Sequence, residues 1–145
     1  MDETEYKETY KKVNEIPCTF SKAILRRCCG CRHAQKLLLA EREAMSCLSV
    51  EGQLRCEKLL PLLRQKAAFA LKLTHTDGKL PFGKEIKVQC GSMLGLQQEL
   101  EANPIQEPLV EDIYNLIDQA EAFYDSINNF PFNEMVRTIS HFKAR

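Results

Sequence analysis

Cysteine is the residue type in this chain whose number and spacing could do chemistry. Six of the seven cysteines lie between Cys18 and Cys56, and the seventh is Cys90. The densest stretch is RCCGCRH at residues 27–33, which holds three thiols, one glycine and one imidazole. In a reducing compartment such clusters are more often metal-binding or redox-active than disulfide-bonded, and an odd count argues against a complete disulfide framework. The cysteines therefore predict a thiolate site.

The predicted site is a four-thiolate metal centre. Two residues separate Cys28 from Cys31, so both sulfurs can face one ion while Gly30 permits the turn. Zinc and iron–sulfur clusters are both commonly held by four cysteines. An iron–sulfur cluster is preferred and zinc is second, because six clustered thiols exceed what one structural zinc needs. The predicted ligands are Cys28, Cys31, Cys47 and Cys56, with Cys18 and Cys90 as possible substitutes.

Basic residues surround this cysteine stretch. Residues 16–40 contain five basic and no acidic side chains, whereas residues 88–136 contain nine acidic side chains and no lysine or arginine. Arg26, Arg27 and Arg32 would lower the pKa of nearby thiols and stabilise the negative charge of a thiolate centre. The alternative is that the basic and acidic segments neutralise each other or simply meet water.

The hydrophobic spacing predicts an all-α fold, a compact array of about six or seven helices in one domain over residues 1–145. One irregular segment is expected near 74–90, where Pro81 and Gly83 act as breakers. The aromatic residues stand at spacings typical of a core. The expected helices lie before Pro17, from Thr19 or Ser21 to about Arg27, over His33–Met45, from about 53 to Leu73, over Gly91–Ala102, and along two clear C-terminal stripes that begin near Ile113 and Phe132.

The predicted third helix conflicts with the predicted metal site. A straight helix over His33–Met45 would be about 20 Å long and would hold Cys31 and Cys47 at opposite ends. A single ion could reach both only if this helix were shorter or the chain folded back. The four-ligand site therefore depends on the local structure of this segment.

Several classes of protein are disfavoured. The N-terminal segment MDETEYKETYKK has no apolar run and the longest apolar runs are too short to span a bilayer, so a cytoplasmic protein without a membrane span is expected. The formal net charge is zero, which counts against nucleic-acid binding through Lys22, Lys36 and the arginines. No phosphate loop, nucleophile elbow or His-Glu-x-x-His motif appears, so no catalytic residue is assigned and an enzyme is not favoured.

Three segments resemble a known group of proteins: CTFSKAILRRC at 18–28, FALKLTH at 69–75 and KVQCGSMLGLQ at 87–97. They are similar to a family of small, cysteine-rich bacterial proteins, mostly proteobacterial, of unknown function. The resemblance implies a bacterial cytoplasmic protein and places Cys18, Cys28 and Cys90 within the matching motifs. It implies no activity.

Two functional hypotheses follow. The first is a small metal-binding protein whose thiolates hold an iron–sulfur cluster or zinc for electron transfer, sensing or assembly of a complex. The second is a metal-free helical adaptor with buried structural cysteines, which docks a partner protein through its acidic C-terminal half or its basic cysteine segment. A thiol–disulfide enzyme is less favoured, because the strands of a thioredoxin-like fold are not predicted.

Overall fold

The computed structural model of the protein describes residues 2–74, 80–101 and 109–143. In these ranges the chain forms six α-helices, a 3-10 turn at Ile127–Asn129 and one antiparallel hairpin. The all-α prediction is therefore wrong. The elements are α1 (Glu3–Val13), α2 (Ser21–Leu25), β1 (Ala34–Leu39), β2 (Arg42–Cys47), α3 (Val50–Ala67), α4 (Phe82–Leu100), α5 (Ile113–Tyr124) and α6 (Phe132–His141).

The hairpin replaces the helix that was predicted over 33–45. Its register pairs Ala34 with Cys47 and Leu39 with Arg42, and Ala40 in the connecting turn has a φ of 58°. Strand β2 is also bonded on its other side, where the Cys47 N–H donates to Ile16 O at 2.7 Å. The segment is rich in strong helix formers, but helix propensity is worth less than about 1 kcal/mol per residue, so backbone pairing on both sides outweighs it.

Helix α4 corrects the prediction of an irregular segment near 74–90. The helix begins at Phe82 and continues through Cys90, while residues 75–79 lie outside the described residues. The two presumed breakers stand at its start, where Pro81 is the N-cap and Gly83 belongs to the first turn. Neither disrupts a helix there, because the first N–H groups of a helix have no partner within it.

The two C-terminal helices confirm the periodic stripes read from the sequence. The buried residues of α5 include Ile113, Leu116 and Ile117, and α6 follows Pro131 and buries Met135. Phe123 follows the apolar spacing of the stripe that begins near Ile113, but it is 71% exposed, so a buried position is wrong for this residue. One hydrophobic core joins residues of α2 to α6.

Helix α4 packs closely against α6 because two glycines face the contact. A Cβ at Gly91 would lie 2.6 Å from the Ile139 Cα, and a Cβ at Gly95 would lie 3.1 Å from the Met135 Cα. Only a residue without a side chain allows backbones to approach so closely. The GSMLG segment, which lacks the features of a phosphate loop, is thus a helix-packing motif.

A buried polar network connects α4 to two other helices. The Glu85 carboxylate accepts hydrogen bonds from Arg64 of α3, the shortest at 2.7 Å from Nη2, and from Gln89 Nε2 at 3.0 Å. The Gln89 Oε1 atom in turn accepts from the Ala23 N–H of α2 at 3.1 Å. Because an unpaired buried carboxylate is costly, these bonds fix the positions of α2 and α3 relative to α4.

Replacing Gly91 with alanine tests the α4–α6 contact. Since the new methyl group would meet the Ile139 backbone, we expect a loss of about 1–3 kcal/mol in the free energy of unfolding, measured by denaturant titration. The matched control is Gly83→Ala on the same helix, where a Cβ would meet nothing within 4 Å. The control should be neutral or slightly stabilising, and equal losses in both variants would contradict the assignment.

Candidate functional site

The hairpin brings the second and third predicted ligands together. Strand pairing sets Ala34 opposite Cys47, and the Ala34 N–H donates to Cys31 O at 3.1 Å. Cys31 and Cys47 therefore lie at the same end of the hairpin rather than at opposite ends of a helix. The obstacle that the predicted helix posed to their convergence does not exist.

Four cysteines line a single small cavity: Cys18, Cys31, Cys47 and Cys56. They come from the turn before α2, the connection between α2 and β1, the end of β2, and helix α3. Apolar side chains that include Phe20, Ile24 and Ile113 complete the wall. The cavity measures about 20 Å³, which is room for roughly one water molecule and not for an organic cofactor. We call it the thiol cavity.

The first predicted ligand, Cys28, does not lie at the thiol cavity. It forms a disulfide with Cys90 of α4, which also removes the substitute ligand Cys90. Cys29, which is not among the predicted ligands, is buried in the core with its Sγ 3.8 Å from that of Cys28. The disulfide joins residues 62 positions apart and ties the start of the RCCGCRH stretch to the central helix.

The prediction of a metal-binding protein is wrong. Within the described ranges, which contain every cysteine, no group of three or more histidine, cysteine, aspartate or glutamate side chains could hold a metal ion. Burial also raises the pKa of Cys18 and of Cys56 to about 12, so these thiols keep their protons at neutral pH. Metals bind the deprotonated thiolate. The finding favours the alternative, a metal-free protein with structural cysteines.

Arg32, one of the three arginines expected to serve the thiols, bonds to a carboxylate. Arg32 Nε donates to the Asp112 carboxylate at 2.7 Å, while Arg26 and Arg27 are exposed at the end of α2. Partial burial raises the pKa of Asp112, but hydrogen bonds from the Arg32 side chain and N–H outweigh it and leave the pKa below its usual value. The interpretation that basic and acidic segments neutralise each other therefore holds for Arg32.

Sequence reasoning missed Arg55, a cation that acts on a cavity thiol. Its charge opposes the burial that raises the pKa of Cys56. The guanidinium stacks 4.6 Å from the centre of the Tyr114 ring and pairs with Asp118 at 3.2 Å. The signal in the sequence is adjacency to Cys56, but arginine is common on helix surfaces, so adjacency alone did not distinguish it.

The glycine and the histidine of the RCCGCRH stretch have structural roles. The Gly30 N–H donates to Val110 O at 2.8 Å, and a Cβ on Gly30 would lie 2.7 Å from Glu111 O. The glycine therefore lets two chain segments run side by side. His33 packs its ring edge-to-face against Tyr114, with 4.5 Å between the ring centres.

Comparison with known proteins gives no relative from which to transfer a role: no family model, no curated protein and no solved structure matches the chain. The resemblance to a bacterial family therefore stays a prediction. In the described part of the chain, no helix combines the length and the apolar character needed to cross a membrane.

Reduction of the Cys28–Cys90 disulfide should destabilise the protein. A loop of this length corresponds to about 4 kcal/mol of lost chain entropy in the unfolded state, and measured effects are typically about 2–4 kcal/mol. We expect the free energy of unfolding to fall by that amount when a reductant is added. The double variant Cys28→Ala/Cys90→Ala is the control, and any dependence of its stability on reductant would contradict the assignment.

Buried thiols should make the protein labile to alkali. The pKa of Cys18, Cys29 and Cys56 is raised to about 12 in the folded state against 9.0 for an ordinary thiol. Above pH 9 the unfolded chain loses these protons first, so stability that is complete below pH 9 is lost towards pH 12. The expected slope is up to about 1.4 kcal/mol per pH unit for each thiol.

Unfolding is measured at about pH 8, 9 and 10, values that bracket thiol ionisation. Rapid mixing is used because it limits disulfide exchange. The triple variant Cys18→Ala/Cys29→Ala/Cys56→Ala serves as the reference for other alkaline effects. Parallel pH profiles for the two proteins would show that the thiols contribute nothing.

Proposed function

We propose that the protein is a metal-free adaptor that docks an acidic, partly apolar segment of a partner protein. The docking surface is the groove between the turn that follows α3 and the start of α4, which we call the lysine groove. It is lined by Ala70, Leu71, Lys72, Pro81, Gly83, Lys84 and Lys87 and has a volume of about 460 Å³. Buried structural cysteines hold the scaffold that presents it.

The observation that carries this proposal is the exposure of two aromatic side chains that are adjacent in sequence to residues lining the lysine groove. Phe69 is 96% exposed next to Ala70, and Phe82 is 61% exposed between Pro81 and Gly83. The sequence places both at core spacings, so their exposure is a departure from the expected pattern. Exposed aromatic side chains beside a concave surface are typical of protein-binding sites, where such residues serve as anchors.

The charge of the lysine groove defines the partner. Its charged lining residues in the described ranges are three lysines, and Lys84 and Lys87 lie one turn apart on the same face of α4. A partner segment with carboxylates flanking apolar side chains complements this surface in both respects. Such complementarity gives specificity and speeds association.

The two surfaces first considered for docking are less suitable. Arg32 of the basic cysteine segment pairs with Asp112, and Arg55 pairs with Asp118 and Glu121 of the acidic half. These ion pairs neutralise charges that a partner protein would otherwise contact. The lysine groove keeps its cations around an apolar floor formed by Leu71.

The proposal includes a bacterial cytoplasmic location. The disulfide bears on this point, because cytosolic thiols are normally kept reduced. Blocking free thiols in intact cells before lysis, followed by mass spectrometry of the Cys28 and Cys90 peptides, measures the redox state in place. A pair that is quantitatively oxidised in intact cells would contradict the location.

Replacing Phe69 with serine tests the docking surface. Peptides selected from a random display library on the wild-type protein should be rich in acidic and apolar residues. Phe69→Ser should weaken their binding by about thirtyfold, the loss expected for an aromatic anchor, as measured by calorimetry. Added salt should also weaken binding, since the three lysines contribute by charge.

The matched control is Phe123→Ser, which removes another aromatic side chain of high exposure from helix α5. It should leave peptide binding unchanged. Selected peptides without acidic residues, or equal losses in the two variants, would refute the lysine groove as the docking site. Because both side chains are exposed, neither change should prevent folding.

A further inference from the structure

We propose that the thiol cavity is an oxidation site for hydrogen peroxide, at which Cys31 and Cys47 close a second disulfide. This inference is independent of the lysine groove, because it rests on the four cavity cysteines alone. It gives the thiols of the cavity a chemical role other than metal binding.

The hairpin register supports Cys31 and Cys47 as the pair. Cys47 stands opposite Ala34, and the chain from Cys31 to Ala34 forms a turn closed by the bond from the Ala34 N–H to Cys31 O. Both side chains line the thiol cavity and are half-buried, with free sulfurs. Because both line one small cavity, their sulfurs can come together without separation of the elements that carry them.

The remaining cavity cysteines are Cys18 and Cys56. Cys18 also lines a neighbouring groove of about 430 Å³ with Pro17 and Glu57. Cys29 lies in the core, outside the cavity lining. The structure therefore separates four thiols that share a cavity from one that does not.

The reaction balances with peroxide as the oxidant. The Cys31 sulfur, as its thiolate, attacks one peroxide oxygen; the O–O bond breaks, a sulfenic acid forms, and the leaving hydroxide takes up the proton that the thiol released to give one water. The Cys47 sulfur then attacks the sulfenic sulfur, the S–O bond breaks, the S–S bond forms and a second water leaves. Two thiols lose two electrons and two protons, and one peroxide is reduced to two waters.

The size of the cavity selects the oxidant. A space of about 20 Å³ admits a molecule close to the size of water. Hydrogen peroxide is of that order, whereas glutathione disulfide is far too large to bring its sulfurs to the cavity wall. Small peroxides should therefore oxidise these thiols and bulky disulfides should not.

Burial sets the pace of the reaction. It raises the pKa of Cys31, while hydrogen bonds from the backbone of His33 and Tyr114 partly oppose this effect. Because the thiolate is the reactive form, oxidation should be slow at neutral pH and should accelerate by up to tenfold for each pH unit. Such slow oxidation at neutral pH is not typical of a rapid peroxide sensor.

The test is oxidation of the wild-type protein by hydrogen peroxide, with glutathione disulfide in parallel. Remaining thiols are blocked under denaturing conditions, and disulfide-linked peptides are identified by mass spectrometry. The five free cysteines should fall to three as one disulfide forms, with Cys31 linked to Cys47. Glutathione disulfide should produce no such link and no mixed disulfide at these positions.

Two variants sharpen the result. Cys47→Ser should leave Cys31 without the expected link, whereas Cys29→Ser, outside the cavity, should form the link as the wild type does. The wild-type peptide map decides the question even if Cys47→Ser does not fold. Overoxidation of Cys31 without a disulfide, linkage between molecules, or equal oxidation by glutathione disulfide would overturn the proposal.

Discussion

Backbone pairing along β2 is the constraint on which the rest of the structure depends. This strand is bonded to β1 on one side and to residues 16–18 on the other, so three chain segments share one small sheet-like layer. The pairing turns the chain back at Ala40 and carries Cys31, Cys47 and Cys18 to one region. Without it, Cys31 and Cys47 would lie at opposite ends of a helix.

A cluster of cysteines in the sequence does not by itself make a metal site, and in this protein burial of the thiols is the reason. Thiols in an apolar wall keep their protons, because desolvation penalises the charged thiolate. Arg32, one of three arginines that the sequence placed beside a thiolate centre, instead bonds to Asp112. This bond favours the interpretation that the basic and acidic segments neutralise each other. The one pair that forms a disulfide in the structure, Cys28 with Cys90, ties the start of the RCCGCRH stretch to α4.

Helix α4 links this cysteine-rich region to the proposed docking surface. Its middle carries Cys90 and the two glycines that seat it against α6, and its buried face carries the Glu85 network that orients α2 and α3. Its first turns carry Lys84 and Lys87 of the lysine groove. A surface attached to a helix that is fixed on several sides loses little freedom when a partner binds, which favours affinity.

The sequence by itself determined the α5 and α6 segments and most of α3, because apolar periodicity acts over a few residues. Only the tertiary structure decided the hairpin, the partner of Cys28, the exposure of Phe69 and the membership of the thiol cavity. The pairing of β2 with residues 16–18 and the Cys28–Cys90 disulfide join residues far apart in the chain, and local propensities of less than about 1 kcal/mol per residue do not specify such distant partners.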